Sequence, residues 1–214
     1  MSIFALNNEL IFPPVHLAEP DGLLAFGGDL SAERLLLAYH SGIFPWYEGE
    51  HILWWCPDPR FVLFSDELKV SKSMKRLINK NAFAFTINKA FPEVIKNCKS
   101  IARKGQESTW ITDEIKMAYT NLHILGYAHS AETWFEGELV GGLYGIRLGK
   151  VFFGESMFSK MPNASKFAFI KYVFTLRLAG IKIIDCQVYT EHLASFGARM
   201  IKREAFIEFL KEYI

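Results

Sequence analysis

The sequence predicts a mixed α/β (α+β) fold, with a small irregular N-terminal domain over residues 1–60 and a larger α/β domain over residues 61–214. Three observations lead there. Pro, Gly and Trp crowd the first sixty residues. Beyond Arg60, segments of helical and of strand periodicity alternate. Three strand-like segments then follow one another in mid-chain, and a long helix later runs into a strand.

The elements follow in order. "FPPVHLAEPDGLLAFGGDL" reads as loop and turn, because Pro and Gly punctuate it. Ser31 caps a short helix, "AERLLLAYHSG", which Gly42 can end. "IFPWYEGEHILWWCPDPR" holds three Trp and three Pro in eighteen residues, and Pro57 and Pro59 mark a boundary near Arg60. "FVLF" is a strand, "VSKSMKRLINKN" a basic helix and "AFAFTI" a strand. "AFPEVIKNCKSIA" and "TDEIKMAYTNLHILG" are helices, the second capped by Thr112 and stopped by Gly126. "AHSAETWFEGELVGGLYGIRLGKVFFGESMF" gives three strands joined by turns at Glu136-Gly137-Glu138 and Leu148-Gly149-Lys150. Asn163 caps a long helix to Leu178. "IKIIDCQ" is a strand, "EHLASFG" a short helix and "REAFIEFLKEY" a final helix. A largely antiparallel meander followed by a helix-to-strand crossover suits an acyltransferase-type sheet of the N-acetyltransferase (GNAT) superfamily. Fold analogy does not fix a substrate.

Composition narrows the function classes. Half of the 214 residues are hydrophobic and 19 are Phe, so the chain can bury a sizeable core and an aromatic pocket is open to it. The formal net charge is +1, so binding of nucleic acid has to come from a local patch. The cysteines, Cys56, Cys98 and Cys186, are widely spaced and form no CxxC, which argues against a zinc site or a disulfide framework. A reduced cytoplasmic setting is expected. "MSIFALNNEL" lacks the features of a signal peptide. The most apolar stretch, "FAFIKYVFTLRLAGIKII", is interrupted by Lys171, Arg177 and Lys182 and is not a membrane span.

Candidate chemistry concentrates in two stretches. In "IKIIDCQ", strand alternation puts Asp185 and Gln187 on one face at the C-terminal end, where α/β sheets often hold ligands. Cys186 faces the other way, as a small apolar residue if that face packs on a helix. A Cys186–His192 pair requires His192 to fold back from the start of the short helix. For Asp185 and Gln187, a functional pair and a polar strand end bonded to its own loop both remain open. In "FFGESMFS", Glu155 lies among Phe152, Phe153, Met157 and Phe158. An acid so placed meets a cation or has a raised pKa, unless it turns to solvent.

Two further features suit nucleic acid. Lys69, Lys72, Lys75, Arg76 and Lys80 recur at helical spacing, with no acid from Val70 to Ala82. Such a face suits a phosphate backbone, and it equally suits plain solvation. Trp46, Trp54 and Trp55 either wall a cleft at the domain junction or form the core of the small domain. Trp110 in "GQESTWIT" raises the same choice.

"GLLAFGGDL", "GIFPWYE", "ILWWCPDPR", "TWIT", "ELVGGLYG", "GESMFS", "NASK" and "DCQ" occur in this order. With these motifs the chain resembles the leucyl/phenylalanyl-tRNA–protein transferase family, from about Gly22 to the final helix. The resemblance implies an enzyme that moves Leu or Phe, and Met by extension, from aminoacyl-tRNA to the α-amino group of proteins beginning with Arg or Lys. The product is an N-end rule degradation signal. No metal or coenzyme is expected, since the aminoacyl ester is already activated.

The resemblance also implies roles for residues. Asp185 and Gln187 carry catalysis, with Gln187 at the reacting amine or ester. Asp185 orients Gln187 or acts as a base itself. Glu155 holds the basic N-terminal residue or the terminal adenosine. Phe152, Met157, Phe169, Val173 and Ile184 form the donor pocket, with Phe174 as an alternative to Val173. Trp46 and Trp110 stack near the adenosine. Lys69, Lys72, Lys75, Arg76 and Lys80 hold the tRNA by phosphates, which reads no sequence. A cytoplasmic monomer is expected. The rival readings are an acetyl-CoA-dependent N-acetyltransferase and a non-catalytic RNA- or peptide-binding module. Against the first, "SKMPNASK" lacks the glycines of a pyrophosphate loop.

Overall fold

The computed structural model describes residues 3–100 and 111–214. Among these, two sheets form. The smaller contains β1 (Phe4–Leu6), β2 (Leu23–Gly27), β3 (Phe44–Pro45) and β4 (Leu53–Trp55), in the order β1-β2-β4-β3. α1 (Ala32–His40) connects β2 to β3, and the Ser31 hydroxyl accepts from the Arg34 N–H at 3.3 Å. The first sixty residues are therefore less irregular than their Pro and Gly content implies. Their strands run only two to five residues, too short to show alternation.

The larger sheet holds β5 (Arg60–Phe64), β6 (Ala84–Ile87), β7 (Ala128–Phe135), β8 (Glu138–Leu148), β9 (Val151–Ser159), β10 (Ile183–Gln187) and β11 (Arg199–Ile201). Its order is β11-β5-β10-β9-β8-β7-β6. Only β9 and β10 pair in parallel, and α5 (Ala164–Leu178) makes the crossover between them. β11 adds to the expected elements; at three residues it is too short to read as a strand beside the final helix.

Helices cover both faces. α3 (Phe91–Ser100), α4 (Asp113–Ile124) and α7 (Arg203–Tyr213) pack with the small sheet on one side, where Leu24, Tyr39 and Trp54 share a core with Ile146, Phe153 and Phe206. α2 (Lys72–Asn79) and α5 pack on the other, around Phe61, Phe152, Phe169 and Ile184. Burial on both faces explains why β8 reads as a nearly continuous apolar run. Thr112 caps α4 as expected, accepting from the Ile115 N–H at 3.1 Å. Asn163 does not cap α5 with its side chain. It sits in a left-handed turn (φ 69°), and the Ser159 hydroxyl accepts from the Ser165 N–H instead, at 3.2 Å.

Candidate active site

Two β-bulges shape the site. On β9, Tyr144 pairs with Ser156 and Gly145 with Gly154, so Glu155 is the extra residue. On β10, Asp185 pairs with Val62 and Gln187 with Phe61, so Cys186 is the extra residue. The β9–β10 ladder ends at Asp185↔Phe153, while β9 continues to Ser159. The strands part there, and a cavity of about 580 Å³ opens between them. Its walls include apolar groups from Phe152, Met157, Phe169, Ile184 and Leu193, and polar groups from Glu155, Ser156 and Gln187.

The bulge on β10 corrects the alternation argument. Asp185 and Gln187 do not meet as successive residues of a regular strand. Gln187 takes φ +64°, and its N–H donates to Asp185 Oδ1 at 2.9 Å. Its side chain turns elsewhere, and Nε2 donates to Glu155 Oε1 at 3.0 Å. Asp185 thus holds the Gln187 backbone, whereas Glu155 holds its amide.

Asp185 is fully buried against Arg60, which closes the "ILWWCPDPR" motif but is assigned no role by it. Arg60 Nε donates to Oδ1 at 2.8 Å and Nη2 to Oδ2 at 2.6 Å. Nη1 of Arg60 donates to the Gly42 carbonyl at 3.0 Å, and the guanidinium lies between the rings of Phe44 and Phe206, 4.8 and 4.7 Å from their centroids. The one signal in the sequence is a cation opening an apolar strand, since an arginine buried there needs a partner.

Glu155 is half-buried, with its carboxyl oxygens occupied from inside the protein. Tyr39 OH donates to Oε1 at 2.8 Å and Tyr119 OH to Oε2 at 3.2 Å. The two phenol oxygens are also in hydrogen-bond contact with each other. Burial is the main cause that pushes the Glu155 carboxyl up to about 7, and the Asp185 charge adds to it. Burial also raises both phenols well above the ordinary tyrosine range. Tyr39 and Tyr119 sit in amphipathic helices and read as plain core.

The other expected residues divide. Phe152, Met157, Phe169 and Ile184 line the cavity together, because the sheet face of Ile184 is the one that α5 covers. Val173 does not line it; it is buried in the core shared with Phe169. Phe174 is only partly buried against that core and does not line the cavity either. Trp46 lines the cavity, its ring 5.8 Å from that of Trp55. Trp54 is wholly buried in the core of the small sheet. Trp110 lies outside the described residues. Lys69, Lys72, Lys75, Arg76 and Lys80 are all exposed, on α2 and its flanks.

Cys186 is not set up as a nucleophile. Burial pushes its thiol up, its Sγ contacts its own strand's Ile184 carbonyl at 3.7 Å, and a thiol so held stays protonated. His192 lies inside α6 (Glu191–Ala194), which Thr190 caps, and its buried Nε2 has no hydrogen-bond partner. Among the described residues, no group of three or more His, Cys, Asp or Glu is placed to hold a metal ion. No described helix is long and apolar enough to cross a membrane.

An apolar cavity with a carboxyl and a carboxamide at a strand splay suits an enzyme that brings an acyl group to an amine, an acyltransferase. The chain belongs to the leucyl/phenylalanyl-tRNA protein transferase family, whose model matches residues 62–211 and whose N-terminal domain model matches residues 28–58. It is 58% identical to the leucyl/phenylalanyl-tRNA–protein transferase of Syntrophobacter fumaroxidans, over 100% of this chain and 92% of that one. It is 57% identical to the protein of the same name from Flavobacterium johnsoniae, over 98% of this chain and 99% of that one. Among solved structures, a functionally unknown conserved protein from Staphylococcus epidermidis matches at 10% identity and a TM-score of 0.47, over 84% of this chain and 68% of that one.

Proposed function

We propose that this aminoacyltransferase moves Leu or Phe, and Met by extension, from aminoacyl-tRNA to the α-amino group of proteins beginning with Arg or Lys. The product carries an N-end rule degradation signal. The observation that carries the reading is the cavity: the Glu155–Gln187 hydrogen bond stands beside an apolar wall of Phe152, Met157, Phe169 and Ile184, in a chain of this family.

The wall receives the donor side chain, and branching at its β-carbon adds width that disfavours Val and Ile. Gln187 meets the reacting amine or ester. Asp185 acts through the Gln187 N–H, since Arg60 occupies both of its carboxylate oxygens. Trp46, at the cavity edge, offers a face to the terminal adenosine. The five cations about α2 hold phosphates of the tRNA. The parallel β9–β10 pair, its α5 crossover and the antiparallel meander support a GNAT-type fold, with the division into two domains near residue 60. The protein acts as a cytoplasmic monomer.

A transfer assay tests the reading. Leu-tRNA and Phe-tRNA are offered with peptides beginning in Arg, Lys or Ala. Transfer to the Arg and Lys peptides is expected. Its absence overturns the reading.

A further inference from the structure

Aminoacyl transfer needs a group that takes the proton of the attacking amine, so the identity of that group rests on the reaction proposed above. Two carboxyls stand near Gln187. Asp185 is fully buried, with Arg60 donating to both of its oxygens and the Gln187 N–H to one. Both line the cavity, but Glu155, on the β9 bulge, is only partly buried.

The surroundings of Glu155 can be read by counting protons. Tyr39 OH contacts Oε1, Tyr119 OH contacts Oε2, and the two phenol oxygens contact each other. The three contacts close a ring, and each requires one proton. Two phenols supply two protons. With Glu155 as a carboxylate, one edge of the ring is left with lone pair against lone pair. A protonated Glu155 completes it: Oε2–H donates to Tyr119, Tyr119 to Tyr39, and Tyr39 to Oε1. The Gln187 Nε2–H bond to Oε1 persists in either state.

We propose that Glu155, backed by Tyr39 and Tyr119, is the proton acceptor of the transfer step. The amine nitrogen bonds to the ester carbonyl carbon, and the bond from that carbon to the ribose oxygen breaks. The nitrogen loses one proton to the Glu155 carboxylate, which closes the ring. Glu155 then returns one proton to the ribose oxygen, so it ends each turnover as it began. Asp185 and Arg60 are positioning residues, which fix the Gln187 backbone.

Burial agrees with this assignment, since a carboxyl raised to about 7 is matched to proton transfer near neutral pH. The titratable and charged groups that face it are Tyr39 on α1, Arg60 on β5, Tyr119 on α4 and Asp185 on β10, with Tyr144 on β8 beside Tyr119. Burial keeps the Tyr39 and Tyr119 phenols protonated across the useful range.

The test is single-turnover transfer from Phe-tRNA to an Arg-initiated peptide, followed from pH ~5.5 to ~9. The wild-type rate should rise through a limb near 7, separate from the amine's own limb at about 8. In Glu155→Gln the amide N–H completes the ring but accepts no proton. Its fold and tRNA binding should persist, its rate should fall roughly 100-fold or more, and the limb near 7 should vanish. A Glu155→Gln rate within a few-fold of wild type, or a limb that survives in it, overturns the role of Glu155 alone. No transfer by the wild type overturns the reaction itself and this role with it.

Discussion

Arg60 and Asp185 form an ion pair with both side chains fully buried, and the pair ties the first strand of the large sheet to the strand that carries Gln187. Breaking such a pair from one side strands a charge in a dry interior. Asp185→Ala should therefore lower stability by about 3–5 kcal/mol, while Arg60→Met with Asp185→Leu should recover much of that loss. Urea titration of the two variants checks this. A single-site loss below about 1 kcal/mol would mean that water reaches the pair.

Gln187 holds a left-handed backbone at φ +64°, which costs a non-glycine residue of order 1 kcal/mol. Gln187→Gly should keep stability within about 1 kcal/mol of wild type and lose transfer. Gln187→Val should lose both, because a β-branched side chain fits that conformation badly. If Gln187→Gly retained full transfer, the carboxamide would have no part in the reaction.

Lys72 and Arg76 stand exposed on α2, one turn apart. Replacing both with Ala should weaken tRNA binding and flatten its salt dependence, by roughly one slope unit for each lost phosphate contact. Filter binding of Leu-tRNA between about 50 and 200 mM salt reads this directly. An unchanged slope would reduce the helix to an ordinary solvated surface.

The Glu155 carboxyl is raised from 4.5 to about 7 in the folded protein, mainly by burial. The folded chain therefore holds this proton more tightly than the unfolded chain does. The resulting stability is complete below the unfolded pKa and is lost as pH rises through about 7. The stability of wild type relative to Glu155→Gln should fall between pH ~5 and ~8. A difference that stays flat over that range would place the carboxyl in water.

Much of the large sheet is legible from periodicity. β7, β8 and β9 are long, their turns carry Glu136-Gly137 and Gly149, and α5 is a long, mostly apolar helix. The small sheet escapes because β3 is two residues long and β1 pairs with β2 in parallel across a distant connection. In the candidate site, Asp185, Gln187 and Glu155 stand out as polar groups in apolar stretches, and only the family resemblance turns them from strand-end polar groups into expected site residues. Their geometry is not legible, because two bulges replace the alternation on which sequence reasoning relies. Tyr39 lies 80 residues from Tyr119 and 116 from Glu155, and no local pattern joins them. Val173 obeys the helical spacing of a pocket residue, yet it falls one layer too deep.

The position of β5 has a consequence for how the protein is made. It is the first strand of its sheet in chain order, yet its neighbours are β10 and β11, the last two. A growing chain leaving the ribosome therefore carries β5 with both edges open and Arg60 without its counterion. A partial chain that ends before Ile183 lacks both Asp185 and Gln187 and leaves the place of β10 between β5 and β9 empty, and such a fragment that still transferred an amino acid would contradict the role proposed for Gln187. If Gln187 has the role proposed for it, transfer waits until nearly the whole chain has left the ribosome.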